Sequence, residues 1–249
     1  MKKIRVAAVS YLNTKPLLYG IFNHPVYEFI DLELAVPSQC AVLLEEGKVD
    51  MALLPSGALA GHPEFGIVSD YCIGAENKVR TVCIYSAVPM SEITDIWLDG
   101  DSRTSVLLCR YLVDHFWKQN VRWHSGDPDP DQKITGTSAA LLIGDKALDA
   151  EVNTPYIYDL AEAWRAMYDL PFAFAVWASG KPLDTDFLRM FNEAQHLGLQ
   201  KIDELTMLLA NTRRHFSVMS YYRDNISFVL DEAKRQSLNK YLSLVQTYL

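Results

Sequence analysis

Cysteine is scarce and scattered in this sequence. Four thiols, at 40, 72, 83 and 109, form no CxxC pair and three lie in apolar runs, which reads as reduced, buried thiols rather than a disulfide framework or zinc knot. The six histidines, at 24, 62, 115, 124, 196 and 215, show no zinc-ligand spacing, so no metal is expected. HExxH, GxSxG and P-loop signatures are missing, which removes the commonest metalloprotease, esterase and nucleotide-binding readings. No apolar run approaches the roughly 20 residues of a spanning helix. MKKIRVAAVSYLN carries two lysines but only a brief apolar run, so no signal peptide and no membrane association are expected, and the expected location is the cytoplasm. Positive charge is also short: 23 Lys and Arg against 31 Asp and Glu, a net charge of -8, argue against a nucleic-acid partner. The most basic stretch, Arg213-Arg214-His215 with Arg223 beyond it, reads as solvated charge or helix-end pairing.

What is present is an α/β pattern. A chain of 249 residues, 49% hydrophobic and 22% charged, can bury one α/β domain or two small lobes. Buried strands are expected at Ile4 to Val9, Met51 to Leu54, Asp95 to Leu98, Ala139 to Ile143 and Phe172 to Ala178. Tyr27 to Leu34 alternates as a strand with one polar face, and Phe65 to Val68 and Val79 to Tyr85 read as two more. Pro37 and Ser38 open a helix that closes at Gly47, and DGDSRTS is a loop placed to cap a helix over Ser105 to Trp117. HSGDPDPDQK, at 124 to 133, reads as an exposed turn cluster. Further helices are expected at Tyr158 to Tyr168, Phe187 to Leu197 and Ile202 to Ala210, and the stretch from Ser217 to Leu249 reads as helical with room for two. Within it, Tyr221-Tyr222 either packs against a pocket or fills the core. Ser86-Ala87-Val88-Pro89 is the expected crossing between lobes, giving a discontinuous first lobe, 1–86 with 174–249, and a second lobe, 87–173.

The chemistry-bearing signal is repetition at strand ends. Ser10, Tyr11 and Asn13 follow the first strand; Ser56 follows Pro55; Thr81 and Ser86 flank another run; Thr104 and Ser105 start a helix; Gly144 and Asp145 end a strand. Hydroxyls, amides and helix-start N–H groups hold carboxylates without a full positive charge, so an anionic ligand is expected. Each residue alone has a plainer alternative, a helix cap or a satisfied turn. Asp145 reads as an orienting group more than a base, because a carboxylate beside an anion repels it. Arg80, Arg103 and Arg110 are charged alternatives for contact with the anion.

Several motifs together resemble one family. SYLNTKPL at 10 to 17, LLPSG after Asp50, VRTVCIYS at 79 to 86, DSRTSVLLCRYL at 101 to 112, LLIGD at 141 to 145 and YDLAEAWRAMYDLPFAFAVW at 158 to 177 resemble, in order, the chorismate dehydratases of the futalosine route to menaquinone. The resemblance implies a two-lobed fold similar to type 2 periplasmic solute-binding proteins. It also implies dehydration of chorismate to 3-[(1-carboxyvinyl)oxy]benzoate without a metal or redox cofactor. Asn13 matches the family's amide, Thr81 stands where serine is common and keeps the hydroxyl, Ser86 is a second match, and Thr104-Ser105 matches a carboxylate-binding turn. On this resemblance Asn13, Thr81 and Ser86 are the expected catalytic residues. Ser10, Tyr11, Ser56, Thr104, Ser105, Gly144 and Asp145 are the expected substrate contacts. A non-catalytic carboxylate-binding module on the same scaffold is the competing expectation.

Overall fold

The computed structural model describes residues 3–126, 133–150, 154–209 and 216–249. Eleven strands among them form two sheets. The first sheet contains β1 (Ile4–Val9), β2 (Ile30–Ala35), β3 (Met51–Pro55), β4 (Gly66–Ala75), β10 (Phe172–Ser179) and β11 (Ser227–Val229), in the order β11-β4-β10-β3-β1-β2. The second contains β5 (Val82–Ser86), β6 (Asp95–Leu98), β7 (Arg122–Ser125), β8 (Ser138–Ile143) and β9 (Tyr156–Asp159), in the order β7-β6-β8-β5-β9. Strands β3 and β5 are buried along their whole length, and their largely apolar sequences follow from having both faces covered. At the edge, β2 has Asp31 and Glu33 exposed and pairs on one side with β1.

Direction decides which strand ends meet. β1 is parallel to β2 and β3, and β8 is parallel to β6, so their C-terminal ends lie on common edges. β5 runs antiparallel to β8, with Val82 opposite Ile143 and Ser86 opposite Ala139. The N-terminal end of β5 therefore accompanies the C-terminal end of β8.

Helices cover both sheets. The first lobe carries α1 (Lys15–Phe22), α2 (Pro37–Glu45), α6 (Thr185–Gln200) and α7 (Ile202–Leu209). The second carries α3 (Arg103–Leu112), α4 (Gly144–Ala150) and α5 (Leu160–Tyr168). α1 and α6 meet almost backbone to backbone: a Cβ on Gly20 would lie 1.9 Å from the Ala194 carbonyl oxygen, and one on Gly198 would lie 2.0 Å from that of Pro16. Only glycine fits at either position. The last helix, α8 (Glu232–Leu244), packs on β10, and the 3-10 turn after it packs on α3, so the C-terminal segment touches both lobes. Within α8 the buried Lys234 ammonium is paired with Asp231 at 2.8 Å and with Glu76.

Several sequence expectations shift. The chain crosses between sheets after β4 and before β5, so Val82–Ser86 is a central strand of the second sheet and the boundary expected after residue 86 falls at the wrong end of it. Pro25–Phe29 is a 3-10 turn ahead of β2, and Gly66–Ala75 forms a single strand where only Phe65 to Val68 was expected. The expected helix from Tyr158 begins at Leu160, after β9, with Asp159 as its cap. The stretch from Ser217 contains a π-helical turn, Tyr221–Asn225, and β11 before α8. Most of the 124–133 turn cluster, together with Arg213-Arg214-His215, lies outside the described residues. Among the described residues, no helix is long and apolar enough to cross a membrane.

Candidate active site

A cavity opens where the two sheet edges face each other. The end of β1 supplies Val9, and the polar 3-10 turn after it supplies Tyr11, Asn13 and Thr14. Thr81 and Val82 enter at the start of β5, Ser102 and Ser105 from the first turn of α3, and Gly144 from the end of β8. Phe174 and Ala175 of β10, with Ile73 of β4, make the apolar floor.

The polar wall consists of neutral donors. Thr14 Oγ1 donates to Asn13 Oδ1 at 3.2 Å, which leaves the Asn13 amide N–H groups for a ligand. Ser102 caps α3: its Oγ accepts from Ser105 N at 3.3 Å and from Ser105 Oγ at 3.0 Å. Having accepted twice, Ser102 has its own O–H left to donate, at the positive end of a ten-residue helix. Burial, reinforced by Asp101 and Asp99, pushes the Tyr11 phenol well above its ordinary range, so it too stays a neutral donor. Thr81 Oγ1 lies 2.9 Å from the Tyr221 hydroxyl. Among the described residues, the lining carries no carboxylate, imidazole, guanidinium or amine.

Gly144 shapes this wall through its backbone. Its φ of +58° is left-handed, and a Cβ there would come within 2.8 Å of the Tyr11 ring. Its N–H donates to Thr81 O at 2.8 Å, tying β8 to the start of β5.

The profile of the menaquinone biosynthesis family matches residues 4–247, nearly the whole chain. The chain belongs to that family. A chorismate dehydratase from Thermus thermophilus is 26% identical to this family member over 91% of this chain and 94% of its own. Protein AF1704 from Archaeoglobus fulgidus has the same fold, with a TM-score of 0.79 at 16% identity, covering 99% of this chain and 97% of that one. The aliphatic sulphonate binding protein SsuA from Escherichia coli superposes with a TM-score of 0.66 at 14% identity, over 100% and 93% of the two chains. The family member thus has the periplasmic-binding-protein-like fold, two α/β lobes with added C-terminal helices.

Five residues singled out in the sequence meet at the cavity of this family member: Tyr11, Asn13, Thr81, Ser105 and Gly144. The others do not line it. Ser10 is exposed. Ser56 Oγ donates to Ala173 O at 2.7 Å, holding the turn after β3 against β10. Thr104 Oγ1 accepts from Gly57 N at 2.9 Å and donates to Phe174 O at 3.1 Å, which fastens α3 to the first lobe. Asp145 Oδ1 accepts from Leu12 N at 3.2 Å, a clasp across the lobes. Ser86 is buried at the far end of β5 and accepts from Val88 N at 3.1 Å, so the antiparallel direction of β5 removes it from the site.

The arginines stay off the cavity wall. Arg103 pairs with Glu45, Arg110 stacks on Trp123 and Arg80 stacks on Phe216. Among the described residues, no group of three His, Cys, Asp or Glu is arranged to hold a metal ion. Ser102 was visible in the sequence only as part of a capping loop, and Phe174 and Ala175 carried no signal beyond strand apolarity. Tyr221 and Tyr222 are buried behind the site, and the Tyr222 hydroxyl donates to Leu12 O at 2.8 Å.

Proposed function

We propose that this protein dehydrates chorismate to 3-[(1-carboxyvinyl)oxy]benzoate, as a step toward menaquinone. The observation that carries the reading is the cavity wall: uncharged donors face an apolar floor, and no carboxylate, imidazole or amine stands among the described lining residues. Donors of this kind suit a dianionic ring, because each strengthens when its acceptor is a carboxylate. The elimination removes the proton from C3 and the hydroxyl from C4; the C3–H electron pair becomes the new ring double bond, and the product is aromatic. No electron carrier is needed, since the reaction is redox neutral.

With no basic side chain among the described residues of the wall, the substrate's own enolpyruvyl carboxylate takes the C3 proton, and the departing C4 oxygen takes up that proton and leaves as water. The protein's part is orientation and electrostatics. Asn13, Thr81 and Ser102 hold the ring so that carboxylate and C3–H approach each other, and Phe174 and Ala175 keep water from the reacting face. Incubation of the purified protein with chorismate and a chelator, followed by chromatography, tests this. The benzoate product should accumulate as chorismate disappears. Saturable binding of chorismate without product would make the protein a carboxylate-binding module, the role that its structural likeness to a sulphonate binding protein favours.

A further inference from the structure

We infer that Tyr221, which lies behind the cavity wall, is a positioning residue that turns Thr81 into a hydrogen-bond donor toward the substrate. The inference rests on the proposed chorismate chemistry and gives a role to a residue that the sequence left between packing against a pocket and filling the core. Tyr221 belongs to the π-helical turn Tyr221–Asn225, is fully buried, and sets its hydroxyl 2.9 Å from Thr81 Oγ1. Thr81 is itself on the cavity lining and nearly fully buried.

Counting protons settles the direction of this bond. If Thr81 donated to Tyr221, the phenol proton would need another acceptor, and among the described residues no second partner lies within reach of that hydroxyl. A buried O–H without an acceptor is costly. If Tyr221 donates instead, both protons are accommodated, because Thr81 still has Val79 O at 3.4 Å. That second bond is at the long limit, so Thr81 exchanges it for a substrate oxygen at little cost. Burial keeps the Tyr221 phenol protonated, well above its ordinary range, and a donor that cannot ionise holds Thr81 in one sense at any working pH. The bond received from Tyr221 also polarises the Thr81 hydroxyl and strengthens it as a donor.

The experiment compares wild type, Tyr221→Phe, Thr81→Val and the double variant by kcat and KM for chorismate. Thr81→Val should lower kcat/KM by about 10- to 100-fold, the worth of one hydrogen bond to a charged group, and Tyr221→Phe by about 2- to 10-fold, the worth of one between neutral hydroxyls. The double variant should be no worse than Thr81→Val alone, since Tyr221 acts only through Thr81. Tyr241→Phe, which deletes another buried tyrosine hydroxyl bonded to Thr104 O, serves as a control whose kinetics should stay at wild type. Tyr221→3-fluorotyrosine keeps the packing and makes the phenol a stronger donor, so it should raise kcat/KM without moving the melting temperature; it also decides the matter if Tyr221→Phe does not fold. Independent, multiplying effects of the two substitutions, or unchanged kinetics in both Tyr221 variants, would overturn the inference while leaving the dehydratase reading intact. If wild type binds chorismate but returns it unchanged, the dehydratase reading falls, and the same four-protein cycle read in Kd decides for or against Tyr221. If wild type does not bind chorismate, both fall.

Discussion

Replacing Gly144 with alanine separates two costs that this position combines. The residue sits at φ +58°, and an alanine there incurs about 1–2 kcal/mol for a left-handed backbone. Its Cβ would also stand 2.8 Å from two carbons of the Tyr11 ring, closer than packed carbon atoms come, and overpacking of this kind adds about 1–3 kcal/mol. Gly47 provides the matched control: its φ is +66°, and nothing lies within 4 Å of where its Cβ would be. Gly47→Ala should therefore lose only the backbone part, about 2–8 °C in melting temperature for a chain of this size, with chorismate turnover unchanged. Gly144→Ala should lose more, and its turnover should fall sharply because the Tyr11 ring yields toward the cavity. Thermal unfolding and chorismate consumption, measured on both variants, check this. Equal melting losses with full activity in Gly144→Ala would refute the claim that this glycine positions the cavity wall.

Thr104→Val keeps the shape and leaves Phe174 O its bond from Ser56 Oγ at 3.2 Å but strands the buried Gly57 N–H, and urea unfolding should show a loss of about 1–3 kcal/mol. Ser86→Ala should leave chorismate kinetics at wild type, since that hydroxyl serves only the turn after β5; a large fall in kcat would return Ser86 to the site. Asp50 is held well below the ordinary carboxylate range, first by the Arg5 guanidinium and then by Lys181. A lowered carboxylate contributes stability that is complete above its unfolded value, about 3.9, and is lost as pH falls through the folded one. Asp50→Asn should cost about 2 kcal/mol at pH 7 and flatten the decline of stability below about pH 4; an acid decline as steep as wild type's would rule out this ion pair as its source.

The parts of the site that could be read from sequence share one geometry. β1 and β8 run with their C-terminal ends toward the cavity, so a polar turn after an apolar strand located Tyr11, Asn13 and Gly144. The same rule failed on β5, whose reversed direction brings Thr81 to the cavity and takes Ser86 away; an apolar run looks the same from either end. Ser56 and Thr104 have the expected chemistry in the expected places, but their hydroxyls are spent on the carbonyls of β10, a partner far away in sequence. Tyr221 illustrates the same limit, because a buried tyrosine matters to a site only through what lies opposite its hydroxyl. The short edge strands β7, β9 and β11 have three or four residues each, too few for a period to show.

β10 lies between β3 and β4, yet the entire second lobe separates it from both in the chain. On the ribosome, β3 and β4 emerge well before the strand that pairs with both of them. The floor of the cavity is missing until Phe174 and Ala175 arrive, and Tyr221 emerges later still. A nascent chain can therefore finish its second lobe while having nowhere to put a ligand, and binding competence arrives only near the end of translation.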